Sequence, residues 1–175
     1  AGESIGEGPF DALAQLNRER PIPPAMIEDH LAGFALDEQG WRPQSEEDLD
    51  RYCYHVAGAV GCMMAVVMGV SPDDSETLER AADLGIAFQL SNIARDLAED
   101  HRSGRCYVPA DWLAALGVSE ATLFDPEHEP ARREIARRLA ARVALYEQSA
   151  RAGVAKLPFR SRVAVLAAAR IYGAI

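Results

Sequence analysis

The stretch DSETLERAADLGIAFQLSNIARDLAEDHR, residues 74–102, has no proline and a single glycine, Gly85. Apolar residues return in it at steps of three and four (Leu78, Ala82, Leu84, Ala87, Phe88, Leu90, Ile93, Leu97), the repeat of one face of an α-helix. At about 100° per residue, Gln89, Asn92, Asp96 and Asp100 fall within roughly 80° of one another. Asp96 and Asp100 are then neighbours about 6 Å apart at Cβ, where like charges repel by roughly a few tenths of a kcal/mol. Folding has no use for that repulsion, and a divalent cation would turn it into attraction. Mg²⁺ prefers hard carboxylate oxygens and usually takes one or two from protein, with substrate phosphates completing its shell. An acidic pair at this spacing is also common on solvated helix faces, so the pair alone is a weak motif. Two flanking features favour the metal. Gln89 and Asn92 continue the polar line through an otherwise apolar stretch, where a solvated face would favour Lys and Glu. Arg102-Ser103-Gly104-Arg105 then brings cations to the carboxylates' end.

The 175 residues suffice for one domain with a real core, and 49% hydrophobic with 26% charged residues is a globular composition. The net charge of −9 disfavours non-specific binding to nucleic acid or to an anionic membrane surface. An acidic protein can still bind a diphosphate if metal ions bridge the two anions. Cys53, Cys62 and Cys106 are well spaced and form no CxxC, which predicts neither a disulfide framework nor a zinc site and places the chain in a reducing cytoplasm. Ala1-Gly2-Glu3-Ser4 does not read as a secretory leader. The longest apolar run, Val56 to Val70, is too short to span a bilayer and reads as a buried helix.

Working outward, helices are expected at about Phe10 to Arg18, with Leu13 and Leu16 inward, and from Pro24 to about Asp37. Pro24 is a first-turn proline there, and Met26, Ile27, Leu31, Phe34 and Leu36 form the apolar set. Ser45 reads as the N-cap of a third helix, about Glu46 to Met68, with Glu46, Glu47 and Asp48 in its first turn. Tyr52, Val56, Ala59 and Met63 are expected to share one face of it. Gly58 and Gly61 cost about 1 kcal/mol each in helix propensity and admit either a neighbouring backbone or a ligand. His55 reads as a satisfied core histidine. After residues 74–102 come a short helix from Pro109 to near Gly117, a loop at Asp125–Pro130, and a long amphipathic helix from about Ala131 to Ala152. The stripe of that helix is Ile135, Leu139, Val143 and Tyr146, and its arginines (Arg132, Arg133, Arg137, Arg138, Arg142) read as a solvated face. A final helix is expected over Phe159 to Ile175. Residues 1–9 read as frayed. With no convincing strand, the fold class is all-α, a bundle of long helices.

YCYHVAGAVG (52–61), GIAFQLSNIARDLAED (85–100) and GRCYVP (104–109), in this order and spacing, resemble the squalene/phytoene synthase family of all-α isoprenoid synthases. The likeness runs over essentially the whole chain. Within the family, YCYHVAGAVGCMMAVVMGV and DHLAGFALD are most similar to bacterial phytoene synthases. The resemblance implies a transferase that joins two prenyl diphosphates head to head through a cyclopropyl diphosphate. The substrate is geranylgeranyl diphosphate if the product is phytoene, on the route to carotenoids. In such enzymes two aspartate-rich motifs face each other across a cavity and hold Mg²⁺. Asp96 and Asp100 match the second motif. Gln89, Asn92, Arg95 and Arg105 match positions at the diphosphate end, Tyr52 matches a tyrosine of the first half-reaction, and Val56, Val60 and Gly61 match the prenyl channel.

The chemistry accounts for these residue types. Ionisation of an allylic diphosphate leaves negative charge that Mg²⁺ and Arg stabilise, while apolar walls keep water from the carbocation. One departure is plain: no second DxxxD precedes residue 89, since Asp29 and Asp37 stand eight residues apart and Asp73-Asp74 fall in a turn. The chain is therefore expected to be part of a longer domain, without its N-terminal helices and C-terminal end. It would hold half the metal site and be inactive as it stands. Two other functions stay in view: a squalene-type synthase using farnesyl diphosphate, and a helical interaction module whose carboxylates face open solvent with no cavity beside Tyr52. Because the product would be insoluble in water, peripheral contact with a membrane is a further expectation.

Overall fold

A computed structural model describes residues 8–172. Its helices are α1 (Gly8–Glu19), α2 (Pro24–Glu38), α3 (Glu46–Cys53), a π-helical turn (Tyr54–Gly58), α4 (Ala59–Val67), α5 (Ser75–Arg102), α6 (Ala110–Ala115), a 3₁₀ turn (Pro126–His128), α7 (Glu129–Val154) and α8 (Phe159–Tyr172). The described residues contain no strand. The expected frayed start up to residue 7 and the last three residues of the final helix lie outside the described residues.

Local chemistry sets the helix ends. Ser45 accepts the Asp48 backbone N–H (3.2 Å) to cap α3. Asp74 caps α5 by accepting the Thr77 backbone N–H (3.1 Å) and the Thr77 hydroxyl (2.7 Å). Gly104 leaves α5 with a φ of 71°, a left-handed turn that redirects the chain.

The α5 helix is the axis of the bundle. One cluster of buried residues joins Leu49, Tyr52 and Cys53 of α3 to Ile86, Leu90 and Ile93 of α5, to Trp112 of α6, and to Ile135 and Leu139 of α7. A second joins Cys62, Ala65 and Val66 of α4 to Leu78 and Ala82 of α5. All three cysteines are free and buried. Helix α1 has no buried residue, and Leu13, expected inward, is 51% exposed. On α2, Ile27, Leu31 and Phe34 of the apolar set are also exposed.

The third expected helix is interrupted. Ala59 donates its N–H to the Tyr54 carbonyl, the wide i→i+5 bond of a π-turn, which inserts one residue and turns the helix face. Tyr52 lies in the main core and Val56 packs against it, while Ala59 is wholly buried and Met63 half-buried.

Gly61 and Gly85 let helices pack closely, and both also line a cavity. A Cβ on Gly61 would sit 2.2 Å from the Ala81 carbonyl oxygen, and one on Gly85 would sit 2.2 Å from that of Ala57. Backbone thus meets backbone where α4 and the π-turn cross α5. Gly85→Ala is expected to cost about 1–3 kcal/mol or more through forced separation of these helices, read as a lower urea midpoint with an unchanged slope.

The arginines of α7 are not uniformly solvated. Arg142 bridges Glu46 and Asp50 of α3, Arg138 lies 5.4 Å over the Trp112 ring, and Arg132 donates to the Leu123 and Asp125 carbonyls. Arg133 and Arg137 alone keep the expected place, pairing with Glu129 and Glu134 on the exposed surface.

Candidate active site

A cavity of about 500 Å³ lies between α4, α5, α7 and α8, within the size range of small-molecule sites. Val56, Val60 and Gly61 form its wall on the π-turn and α4 side, and Gln89 and Asn92 stand on its α5 wall. Five residues singled out from sequence thus meet in one hollow. The α5 lining runs from Thr77 to Asn92, which at 1.5 Å per residue is a span of roughly 22 Å. The walls are mostly aliphatic, with Met64, Met68, Leu84 and Phe88 the bulkier contributors. Arg80 is the charged exception. It donates to the Ser149 hydroxyl, which in turn donates to Asp83.

Beyond Asn92 the polar line leaves the cavity and continues along α5 as carboxylates. The Arg95 fork grips Asp96, with Nε at 2.7 Å and Nη2 at 2.6 Å, and this hydrogen bonding holds the Asp96 carboxyl below the usual range. Asp100 differs. Burial pushes its carboxyl up, Arg105 pulls it back, and the Asp96 charge adds to the rise. Its side chain is 16% exposed, against 33% for Asp96, and Arg105 Nε lies 3.2 Å from its Oδ1. The Arg105 backbone N–H also donates to the Asp100 carbonyl at 2.8 Å, so the turn after α5 folds back onto the acidic pair.

The donor set suits a hard cation. Two carboxylates one helical turn apart, electrostatically coupled, match the one or two protein ligands that Mg²⁺ takes alongside phosphates. No group of three or more His, Cys, Asp or Glu among the described residues forms a closed metal cage. Such a half-open pair is what a substrate-bridged ion needs.

Tyr52 stands apart from the cavity. Its ring is 2% exposed and stacked between Trp41 (5.5 Å between centroids) and Tyr107 (4.9 Å). Its hydroxyl donates to Asp37 at 2.9 and 3.1 Å, and Tyr107 donates to the same carboxylate at 2.9 Å. Burial pushes the Tyr52 phenol far above its ordinary value, and it stays protonated. His55 is satisfied as expected: its Nδ1 donates to the Asp29 carbonyl at 2.9 Å.

The profile of the squalene/phytoene synthase family matches residues 4–175. The chain belongs to that family. It is 49% identical over 95% of its length to a 15-cis-phytoene synthase of Enterobacter agglomerans, and covers 56% of that relative. A 15-cis-phytoene synthase of Pantoea ananas is 46% identical over 98% of the chain, which covers 55% of it. The chain thus spans about half the length of the curated relatives it matches. Among solved structures, a dehydrosqualene synthase in complex with ligand superposes with a TM-score of 0.88 at 27% identity, over 98% of this chain and 60% of that one.

Family membership gives the arrangement its sense. The squalene/phytoene synthase motifs in GIAFQLSNIARDLAED lie along one line of α5, amides at the cavity and acids beyond it. The tyrosine of GRCYVP stacks on the tyrosine that opens YCYHVAGAVG. Sequence reading passed over Asp37 and Tyr107. The available signal was their position inside DHLAGFALD and GRCYVP, motifs quoted only for their likeness. Arg80 and Phe88 in the cavity wall carried no signal beyond helical phase.

Proposed function

We propose that the protein carrying this chain is a Mg²⁺-dependent prenyltransferase that condenses two molecules of geranylgeranyl diphosphate head to head to phytoene. The observation that carries the proposal is spatial order on a single helix: an apolar cavity, then an amide pair, then a carboxylate pair flanked by arginines. A prenyl diphosphate has the same order, with an apolar tail, a reacting carbon and an anionic head.

In this reading Asp96 and Asp100 hold the metal, which when bound neutralises diphosphate charge as a Lewis acid. Arg105 and Arg95 add fixed positive charge at the same end and stabilise the departing diphosphate. Gln89 and Asn92 stand at the border, able to orient the head by hydrogen bonds. Val56, Val60 and the closely packed backbone at Gly61 confine the tail and exclude water from the carbocation. Tyr52, buried and apart from the cavity, is proposed to serve the first half-reaction as a neutral phenol, since its O–H donates to Asp37 and burial opposes ionisation.

The full-length protein should turn over geranylgeranyl diphosphate with Mg²⁺, releasing diphosphate and phytoene at a rate at least about tenfold above that with farnesyl diphosphate. Preference for the shorter chain would instead support a squalene-type synthase, the reading favoured by the likeness to a dehydrosqualene synthase structure. No described helix is long and apolar enough to cross a membrane. A cytoplasmic enzyme touching the bilayer only at its surface, to deliver a water-insoluble product, fits this reading. Flotation with liposomes tests it, and protein left wholly in solution would refute the contact.

A further inference from the structure

The cluster around Asp37 joins three segments distant in sequence: the end of α2, the helix α3, and the link between α5 and α6. Its carboxylate accepts from the Tyr52 and Tyr107 hydroxyls, while the two rings stack on each other and Trp41 covers the far face of Tyr52. Both tyrosines are buried, so neither can leave Asp37 without opening the core. Burial also keeps both phenols protonated, and therefore donors.

Tyr107 stands two residues beyond Arg105, whose side chain and backbone N–H both engage Asp100. On the other side of Arg105, Arg42 donates to the Gly104 carbonyl at 2.6 Å. The link that carries Arg105 is thus pinned before and after it.

We infer that Asp37 is a positioning residue for the anion-binding end of the site: by gripping Tyr107 it sets the link so that Arg105 stands over Asp100, where a diphosphate would arrive. The inference rests on the proposed reading of Asp96, Asp100 and Arg105 as the diphosphate end. Asp37 touches none of these groups and acts only through Tyr107 and the link.

The same helix supplies a control. About two turns earlier on α2, Asp29 accepts from the Tyr54 hydroxyl at 2.9 Å, a like carboxylate–phenol pair on the π-turn, away from Arg105. A purely architectural role would make the two aspartates equivalent.

The test is calorimetric titration of full-length protein with inorganic pyrophosphate at fixed Mg²⁺, on wild type, Asp37→Asn, Tyr107→Phe and Asp29→Asn. Asp37→Asn and Tyr107→Phe should each weaken pyrophosphate binding roughly tenfold, the usual effect of removing a supporting residue around a metal site. Their double variant should be no weaker than the worse single one, because both remove the same grip. Hydrogen exchange over residues 104–108 should quicken in Asp37→Asn. Asp29→Asn should leave affinity and exchange at wild-type values, even with a comparable fall in melting temperature. Wild-type affinity in Asp37→Asn and Tyr107→Phe, or equal weakening in Asp29→Asn, overturns the inference alone. Absence of Mg²⁺-dependent pyrophosphate binding in the wild type overturns the reading of the acidic pair, and this inference with it.

Discussion

Asp96→Ala in the full-length protein is expected to lower turnover of geranylgeranyl diphosphate by at least about a hundredfold, or roughly 2.7 kcal/mol of transition-state stabilisation. The expectation follows from where charge develops. Breaking the allylic C–O bond leaves a diphosphate whose negative charge must be met by groups already in place, and in the proposed reading Asp96 is one of this chain's two metal ligands. The substitution is mild for the fold. Alanine is the best helix former, the side chain is 33% exposed, and its pairing with adjacent Arg95 is a surface interaction worth about 0–1 kcal/mol. The melting temperature should therefore hold while initial rates collapse, and raised Mg²⁺ should recover part of the loss. A rate reduction below about tenfold with normal folding would contradict the metal role.

Helix placement was legible because buried faces repeat. The run at residues 74–102 emerged as α5 with Asp74 as its cap, and the amphipathic stripe of Ile135 and Leu139 emerged as α7. The line from Gln89 to Asp100 survived for the same reason, since residues three and four apart on one unbroken helix keep their phase whatever packs around them. The π-turn did not survive that logic. One extra residue in the turn changes the phase without leaving any mark in composition, so the break between α3 and α4 went unforeseen. Long-range pairings were equally silent. Asp37 meets Tyr107 seventy positions away, and Arg142 meets Glu46 ninety-six away. Neither partner shows periodicity toward the other. Gly58 and Gly61 were ambiguous for a different reason: the residue that admits a ligand is the one that admits a helix, and Gly61 does both, meeting the Ala81 carbonyl and lining the cavity.

Asp100→Asn should separate stability from activity more sharply than any other change in this chain. Burial raises the Asp100 carboxyl above its usual value, so the folded state binds that proton more tightly than the unfolded state does. The stability tied to this proton is fully present below the unfolded value of 3.8 and is lost as pH rises through the folded one. At neutral pH the wild type therefore carries an ionised, half-buried carboxylate as a cost. Asparagine keeps the shape and an acceptor for Arg105 without the charge, and removes the repulsion from Asp96. The metal-free variant should melt about 2 °C higher than wild type at pH 7, and that gain should vanish as pH is lowered below the carboxylate range. Activity should fall by about a hundredfold at the same time, because a neutral amide cannot replace a charged ligand for Mg²⁺. A lower melting temperature at pH 7 would show that the ion pair with Arg105 outweighs the burial. Activity near that of wild type would remove Asp100 from the metal site.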